Sequence, residues 1–185
     1  MTIAASVYIA TSLDGFIARE DGAIDWLMEG NGTVPASEDC GYAQFMSTVD
    51  VLIMGRNTYD QVATFEPWPY EGKRVVVLTS RPVQFLQGSG IQLEASTEAP
   101  HALLHRLGTG GCKHAYVDGG QVIQSFLSEG LIDELTVTTI PVLLGAGRRL
   151  FGELPGDMKL RLVSSKAYDF GFVQTTYRAQ RDDPA

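Results

Sequence analysis

Cysteine is scarce in this sequence: Cys40 and Cys112 stand far apart and outside any Cys-x-x-Cys spacing. They suggest neither a disulfide framework nor a zinc site, and no metal is expected; two free thiols in a reducing compartment is the reading they support. Positive charge is also in short supply, with 14 Lys and Arg against 22 Asp and Glu and a formal net charge of -8. No block of basic residues occurs, which argues against a nucleic-acid partner. Long apolar runs are missing as well. No stretch could span a bilayer, and Met1 to Ser6 lacks the basic and apolar regions of a signal peptide, so a cytoplasmic protein without a membrane partner is expected. The loop Gly-x-x-x-x-Gly-Lys-Ser/Thr is absent. Gly145-Ala146-Gly147 lacks the third glycine and the strand-to-helix setting of a Rossmann fingerprint.

What is present is enough apolar material, 44% of 185 residues, for one sizeable core. The expected organisation is a single domain over residues 1–178 followed by a short flexible tail over 179–185. Tyr116-Val117-Asp118-Gly119-Gly120-Gln121-Val122-Ile123 reads as strand, tight turn and helix. Paired glycines let the backbone approach a ligand, and the free N–H groups at a helix start favour a phosphate. A compact connection with no ligand would use the same residues, and the stretch alone does not choose between them.

The same juxtaposition recurs along the chain. Val51 to Met54 is a continuous apolar run suited to a strand buried on both faces, and it stops at Gly55-Arg56-Asn57-Thr58. Arg74 to Thr79 is a β-branched strand ending in Ser80-Arg81-Pro82. Ile3 to Thr11 alternates small and apolar residues as a central strand does, then enters a long connection through Ser12-Leu13-Asp14-Gly15 to Asp25-Trp26. A connection of that length is expected to border a site. Ser37 is placed to cap a helix with Tyr42, Phe45, Met46 and Val49 on one face. Asp39 would share that face in its first turn. The dipole suffices to explain an acid there, yet a carboxylate aimed at a pocket is also a candidate for chemistry. Further on come a strand over 91–95, a helix over 99–107, a strand over 131–140 and a glycine-punctuated loop, Pro141 to Phe151. A terminal hairpin turns at Asp169-Phe170-Gly171. Strands alternating with helices predict an α/β fold: a mixed, mostly parallel central sheet with flanking helices and a C-terminal β-hairpin. In such sheets ligands lie beyond the carboxyl ends of the strands, where an extended dinucleotide would use Gly55-Arg56, Ser80-Arg81 and Gly119-Gly120 together.

In that order, Ser12-Leu13-Asp14-Gly15, Met54-Gly55-Arg56-Asn57-Thr58-Tyr59, Leu78-Thr79-Ser80-Arg81-Pro82, Val117-Asp118-Gly119-Gly120 and Glu134-Leu135-Thr136-Val137-Thr138 resemble the dihydrofolate reductase-like family. The similarity is to its branch related to the reductase domain of the riboflavin-biosynthesis deaminase-reductase, and it covers residues 3–177. The resemblance implies an NADPH-dependent reductase acting on a small nitrogen heterocycle or ribosylaminopyrimidine, and a homodimer. It implies that Gly55, Arg56 and Thr58, with Thr79, Ser80 and Arg81, line the adenosine phosphates. Gly119, Gly120, Gln121 and Val122 would lie under the diphosphate, and Ala10 and Ile17 beside the nicotinamide. It offers Asp39, by the folate pattern, and Asp14, by the riboflavin pattern, as catalytic carboxylates, with Thr138 as a partner to either and Trp26 and Tyr42 beside the substrate. A buried Asp39 with a raised pKa could protonate or orient a ring nitrogen. The His-x-Glu and Pro-Cys-x-x-Cys signature of the deaminase is absent from the sequence. The alternatives are a dihydrofolate reductase, against which the replacement of that family's Pro-Trp by Asp25-Trp26 counts, and a catalytically silent nucleotide-binding protein.

Overall fold

The structure is a computed structural model and describes residues 3–88 and 90–180. The chain runs β1 (Ala4–Ser12), β2 (Phe16–Ala18), α1 (Asp25–Asn31), α2 (Tyr42–Thr48), β3 (Val51–Gly55), α3 (Arg56–Val62), β4 (Arg74–Leu78) and β5 (Gln92–Ser96). It continues α4 (Pro100–Thr109), β6 (His114–Asp118), α5 (Gly120–Ser128), β7 (Glu134–Ile140), β8 (Arg148–Arg149), β9 (Leu160–Ala167) and β10 (Val173–Ala179). An eight-stranded sheet has the order β5-β4-β3-β6-β1-β7-β10-β9. It is parallel from β5 to β7, and the C-terminal hairpin adds β10 and β9 antiparallel. This is the mixed, mostly parallel sheet with flanking helices that the sequence pattern predicts.

Two cores explain why β3 and β4 read as unbroken apolar runs. On one face Leu103 and Leu107 of α4, with Ile123 and Phe126 of α5, pack on Val7, Val51, Ile53, Val76 and Val117. On the other, Tyr59 and Val62 of α3 and Phe45 of α2 pack on Leu52, Met54, Val75, Val77 and Tyr116. Burial of each such side chain stabilises by about 1.5–3 kcal/mol. A smaller cluster of Trp26, Ile140, Tyr168 and Phe172 ties α1 to the hairpin.

Several local expectations differ from the structure. The long connection after β1 contains α1, whose Asp25 is held by Arg19 at 2.6 Å. The loop over 141–151 contains β8, which pairs with β2 as a two-stranded flap. Ser37 caps nothing. Helix α2 begins at Tyr42 after Gly41, whose φ of 85° is left-handed, and Asp39 supplies the cap by accepting the Gly41 and Ala43 N–H groups at 2.8 Å each. Strand β10 runs through Ala179, past the expected boundary at 178, and the Gln180 N–H donates to Lys159 O. The rest of the expected tail, 181–185, lies outside the described residues. No helix among the described residues is long and apolar enough to cross a membrane.

Candidate functional site

Parallel strands send their backbones in one direction, so β3, β4, β6 and β1 end on one edge and their connections rise around a common space. That space is a cleft of about 1770 Å³. Lining it are Ala10, Ile17, Gly55, Arg56, Thr58, Thr79, Ser80, Arg81, Gly119, Gly120, Gln121 and Val122, together with Asp39, Tyr42 and Thr138. Residues singled out from separate stretches of sequence therefore share one surface.

One end of the cleft is built on glycine and arginine. Gly119 has φ 87°, and a Cβ there would collide with Thr58 Oγ1; at Gly120 it would lie 2.7 Å from Ile17 Cδ1. The turn into α5 is thus seated on the start of α3, and Gly119, Gly120, Gln121 and Val122 line the cleft. Arg56 stands beside it, its guanidinium shared between Asp60 at 2.7 Å and Pro82 O at 2.6 Å. The Thr79 hydroxyl accepts the Arg81 N–H at 3.1 Å and fixes the turn that presents Arg81. On the far wall the flap contributes Arg148, bound to Glu20 O, and Arg149, whose guanidinium lies 4.6 Å from the Phe16 ring centroid. Gln124 Nε2 donates to Arg149 O at 2.9 Å and joins the flap to α5.

The other end is aromatic and acidic. Tyr8 of β1, Tyr42 of α2, Tyr70 of the α3–β4 connection and Tyr116 of β6 line it together with Asp118. Burial pushes Asp118 up to about 6, against a single opposing hydrogen bond from its neighbour, the Gly119 N–H at 2.8 Å. Burial likewise raises Tyr42 to about 12 and Tyr70 and Tyr116 further, with the Asp118 charge adding to each. The Tyr8 hydroxyl donates to Cys40 O, and Gln174 Nε2 is within 3.0 Å of Tyr8 Oη, Cys40 O and Thr138 Oγ1. Cys40, at φ 55°, is the one described non-glycine residue with positive φ, and that conformation turns its carbonyl inward to these donors. In the sequence Asp118 stands only within a motif, and Tyr8, Tyr70, Tyr116 and Gln174 are not among the expected site residues. Strand alternation places 114, 116 and 118 on one face, a signal that could have found Asp118.

Other expected site residues stand differently. Asp39 is exposed at the cleft rim, and its pKa is lowered by the Ala43 and Gly41 N–H groups, contrary to the buried, raised carboxylate expected. Asp14 is outside the cleft lining. It accepts the Ser12 hydroxyl at 2.6 Å and the Leu144 and Gly145 N–H groups, bonds that depress it to about 2 and pin the β1–β2 turn to the loop after β7. Trp26 is also outside the lining, 3% exposed in the small cluster, its Nε1 without an acceptor. Thr138 bonds Gln174, and neither Asp39 nor Asp14 reaches it. Among the described residues no group of His, Cys, Asp and Glu could hold a metal ion.

Comparison with known proteins agrees with this architecture. The chain is 40% identical over 164 residues to YwjB of Bacillus subtilis (strain 168), covering 88% of this chain and 90% of that protein. A crystal structure from Shewanella sp. PV-4, provisionally assigned to riboflavin biosynthesis, superposes with a TM-score of 0.87 at 40% identity, over 97% of this chain and 100% of that one. The Thermotoga maritima diaminohydroxyphosphoribosylaminopyrimidine deaminase/5-amino-6-(5-phosphoribosylamino)uracil reductase shares the fold at 14% identity, with a TM-score of 0.70 over 97% of this chain and 57% of that one. The family profile of the RibD C-terminal domain matches residues 6–174, and the chain belongs to that family.

Proposed function

We propose that the protein is an NADPH-dependent reductase of a small nitrogen heterocycle. The observation that carries this reading is the continuity of the cleft: the glycine turn under α5, the strand-end arginines and the tyrosine–Asp118 end share one space. Its volume of about 1770 Å³ exceeds the roughly 300–1,000 Å³ of a single small-ligand pocket and suits a dinucleotide with a second molecule beside it. The residues present fit the cofactor. Gly119 and Gly120, whose Cβ positions are taken by Thr58 and Ile17, line the cleft as bare backbone that a diphosphate could approach, and Arg56 and Arg81 are the groups that would hold a 2′-phosphate. Bound there, NADPH supplies a hydride. Ala10 and Ile17 offer a small and an apolar surface for a flat ring and exclude water from it. Asp118, near 6, exchanges a proton with a ring nitrogen at neutral pH, and Gln174 fixes the Tyr8 and Thr138 hydroxyls around the same molecule.

The test is a fluorescence titration with NADPH and NADH, with Trp68, packed on Tyr70, as reporter. NADPH should bind at least about tenfold tighter than NADH, and Arg81→Ala should erase the difference. Failure of both nucleotides to bind would leave a shared fold with another role. We assign the protein to the cytoplasm. A homodimer through the exposed Leu160, Leu162, Val163 and Val173 of the hairpin is part of the proposal; a monomer by light scattering at micromolar concentration would refute it.

A further inference from the structure

The reductase reading leaves the substrate class open, and the uneven charge of the cleft bears on it. The cleft-lining cations are Arg56 and Arg81, at the strand ends beside the glycine turn, and Arg148 and Arg149, on the flap that Gln124 joins to α5. At the other end Tyr8, Tyr42, Tyr70, Thr138 and Asp118 line the space, with Asp39 at its rim, and no Lys, Arg or His is among the described residues lining it. Lys166 of β9 is outside the lining; its ammonium lies 3.4 Å from Glu38 and 4.0 Å from the Tyr168 ring centroid. A phosphate monoester carries close to two negative charges at neutral pH and is held by guanidinium, ammonium or several N–H donors. Here it would meet carboxylates and tyrosine hydroxyls. The nearby backbone N–H groups at the start of α2 are occupied, because Asp39 takes those of Gly41 and Ala43.

From this we infer that the substrate carries no phosphate and is a flat, amino-substituted heterocycle presenting hydrogen-bond donors to Asp118 and to the tyrosine hydroxyls. The inference rests on the reductase reading for the assignment of the two ends, and its chemistry follows from the acceptors on hand. One oxygen of Asp118 accepts the Gly119 N–H, no other hydrogen bond to its carboxylate occurs among the described residues, and the residue lines the cleft. Paired donors such as a ring N–H and an adjacent amino group match a carboxylate in geometry and charge. The aromatic rings on that side offer the flat contact such a ring needs.

The experiment is calorimetry on the NADP⁺-saturated protein with a matched pair, 5-amino-6-ribitylaminouracil and its 5′-phosphate, and with 2,4-diaminopyrimidine. NADP⁺ binding is measured separately beforehand, so failure of the reductase reading shows as loss of that first step alone. The unphosphorylated uracil should bind at least tenfold tighter than its phosphate. The diaminopyrimidine should bind, and should lose at least tenfold in Asp118→Asn while NADP⁺ affinity holds. Ala36→Arg, which adds a cation at an exposed position on the cleft wall, should selectively improve the phosphorylated ligand. Equal or tighter binding of the phosphate by the unaltered protein, or binding of none of the three, would overturn the inference while leaving the cofactor assignment standing.

Discussion

The two ends of the cleft differ in how their residues are assembled. The glycine–arginine end is made of short contiguous stretches, Gly55-Arg56, Thr79-Ser80-Arg81 and Gly119-Gly120, each at a strand terminus. The tyrosine–carboxylate end draws Tyr8, Tyr42, Tyr70, Tyr116 and Asp118 from separated segments and gains order only when the sheet aligns them. A repeated ligand feature, a phosphate, can be met by repeated local turns. A particular ring must be met by side chains from several directions. Charge follows the same division, guanidinium groups at one end and a half-buried carboxylate at the other.

The largest expected effect lies at the glycine end. Gly119→Ala must adopt φ 87° with ψ 132° and displace Thr58, at a backbone cost of about 1–3 kcal/mol before the collision is counted. NADPH affinity should fall on the order of 100-fold, while binding of 2,4-diaminopyrimidine to the apo protein changes far less. Adding Thr58→Ala should recover part of the melting temperature, measured as a double-mutant cycle. Equal losses at both ends would break the comparison and make the cleft one cooperative unit.

At the other end the corresponding change should stabilise. Asp118 is raised from 3.8 to about 6 in the folded protein by burial. Between those values the native state holds a proton that the unfolded state has released, so stability declines as pH rises through that window. Asp118→Asn removes the decline, and above pH 6 it should exceed the unaltered protein by about 1–2 kcal/mol, discounted for partial exposure to the cleft. Urea denaturation at pH 5 and pH 8 measures this. A loss of stability at pH 8 would mean that the carboxylate is held as an anion, and the site would then favour a cationic ligand outright. The variant should lose turnover while gaining stability, the trade expected where a costly group is kept for function.

Fold and glycine end were largely legible in the sequence because their signals are local. Apolar runs such as Val51 to Met54 mark strands buried on both faces, and glycine pairs mark their ends. Helix α1 and strand β8 were not, since both are short and depend on partners elsewhere: Arg19 for the start of α1, and β2 for Arg148–Arg149. The side-chain environment of the carboxylates was legible least of all. Sequence position makes Asp14, Asp39 and Asp118 alike as acids following a polar or apolar run. What separates them is whether nearby backbone N–H groups are free to bind them, which is settled by loop conformation.

That distinction supplies the smallest and sharpest test. Asp39 and Asp14 are both lowered by hydrogen bonds from nearby groups, foremost the Ala43 N–H for Asp39 and the Ser12 hydroxyl for Asp14. Each therefore contributes stability that is present above its unfolded pKa and lost as pH falls through the lowered folded value. Asparagine remains a good helix cap, so Asp39→Asn should shift the melting temperature by no more than about 2 °C. Asp14→Asn keeps one oxygen for the Leu144 and Gly145 N–H groups but loses the charge and sets an amide NH2 against the Ser12 hydroxyl, which donates to Asp14 in the unaltered protein, and should cost more. Its deficit at pH 7 should vanish by about pH 2, because Asp14 titrates there. Neither change should alter NADPH affinity, since each carboxylate faces backbone rather than the glycine end. If Asp39→Asn nonetheless abolished turnover with stability intact, the acid serving the ring would stand at the cleft rim on the loop before α2 rather than at the end of β6. The tyrosines around Asp118 would then be a packing solution, and substrate choice would be governed by the loops instead of the sheet.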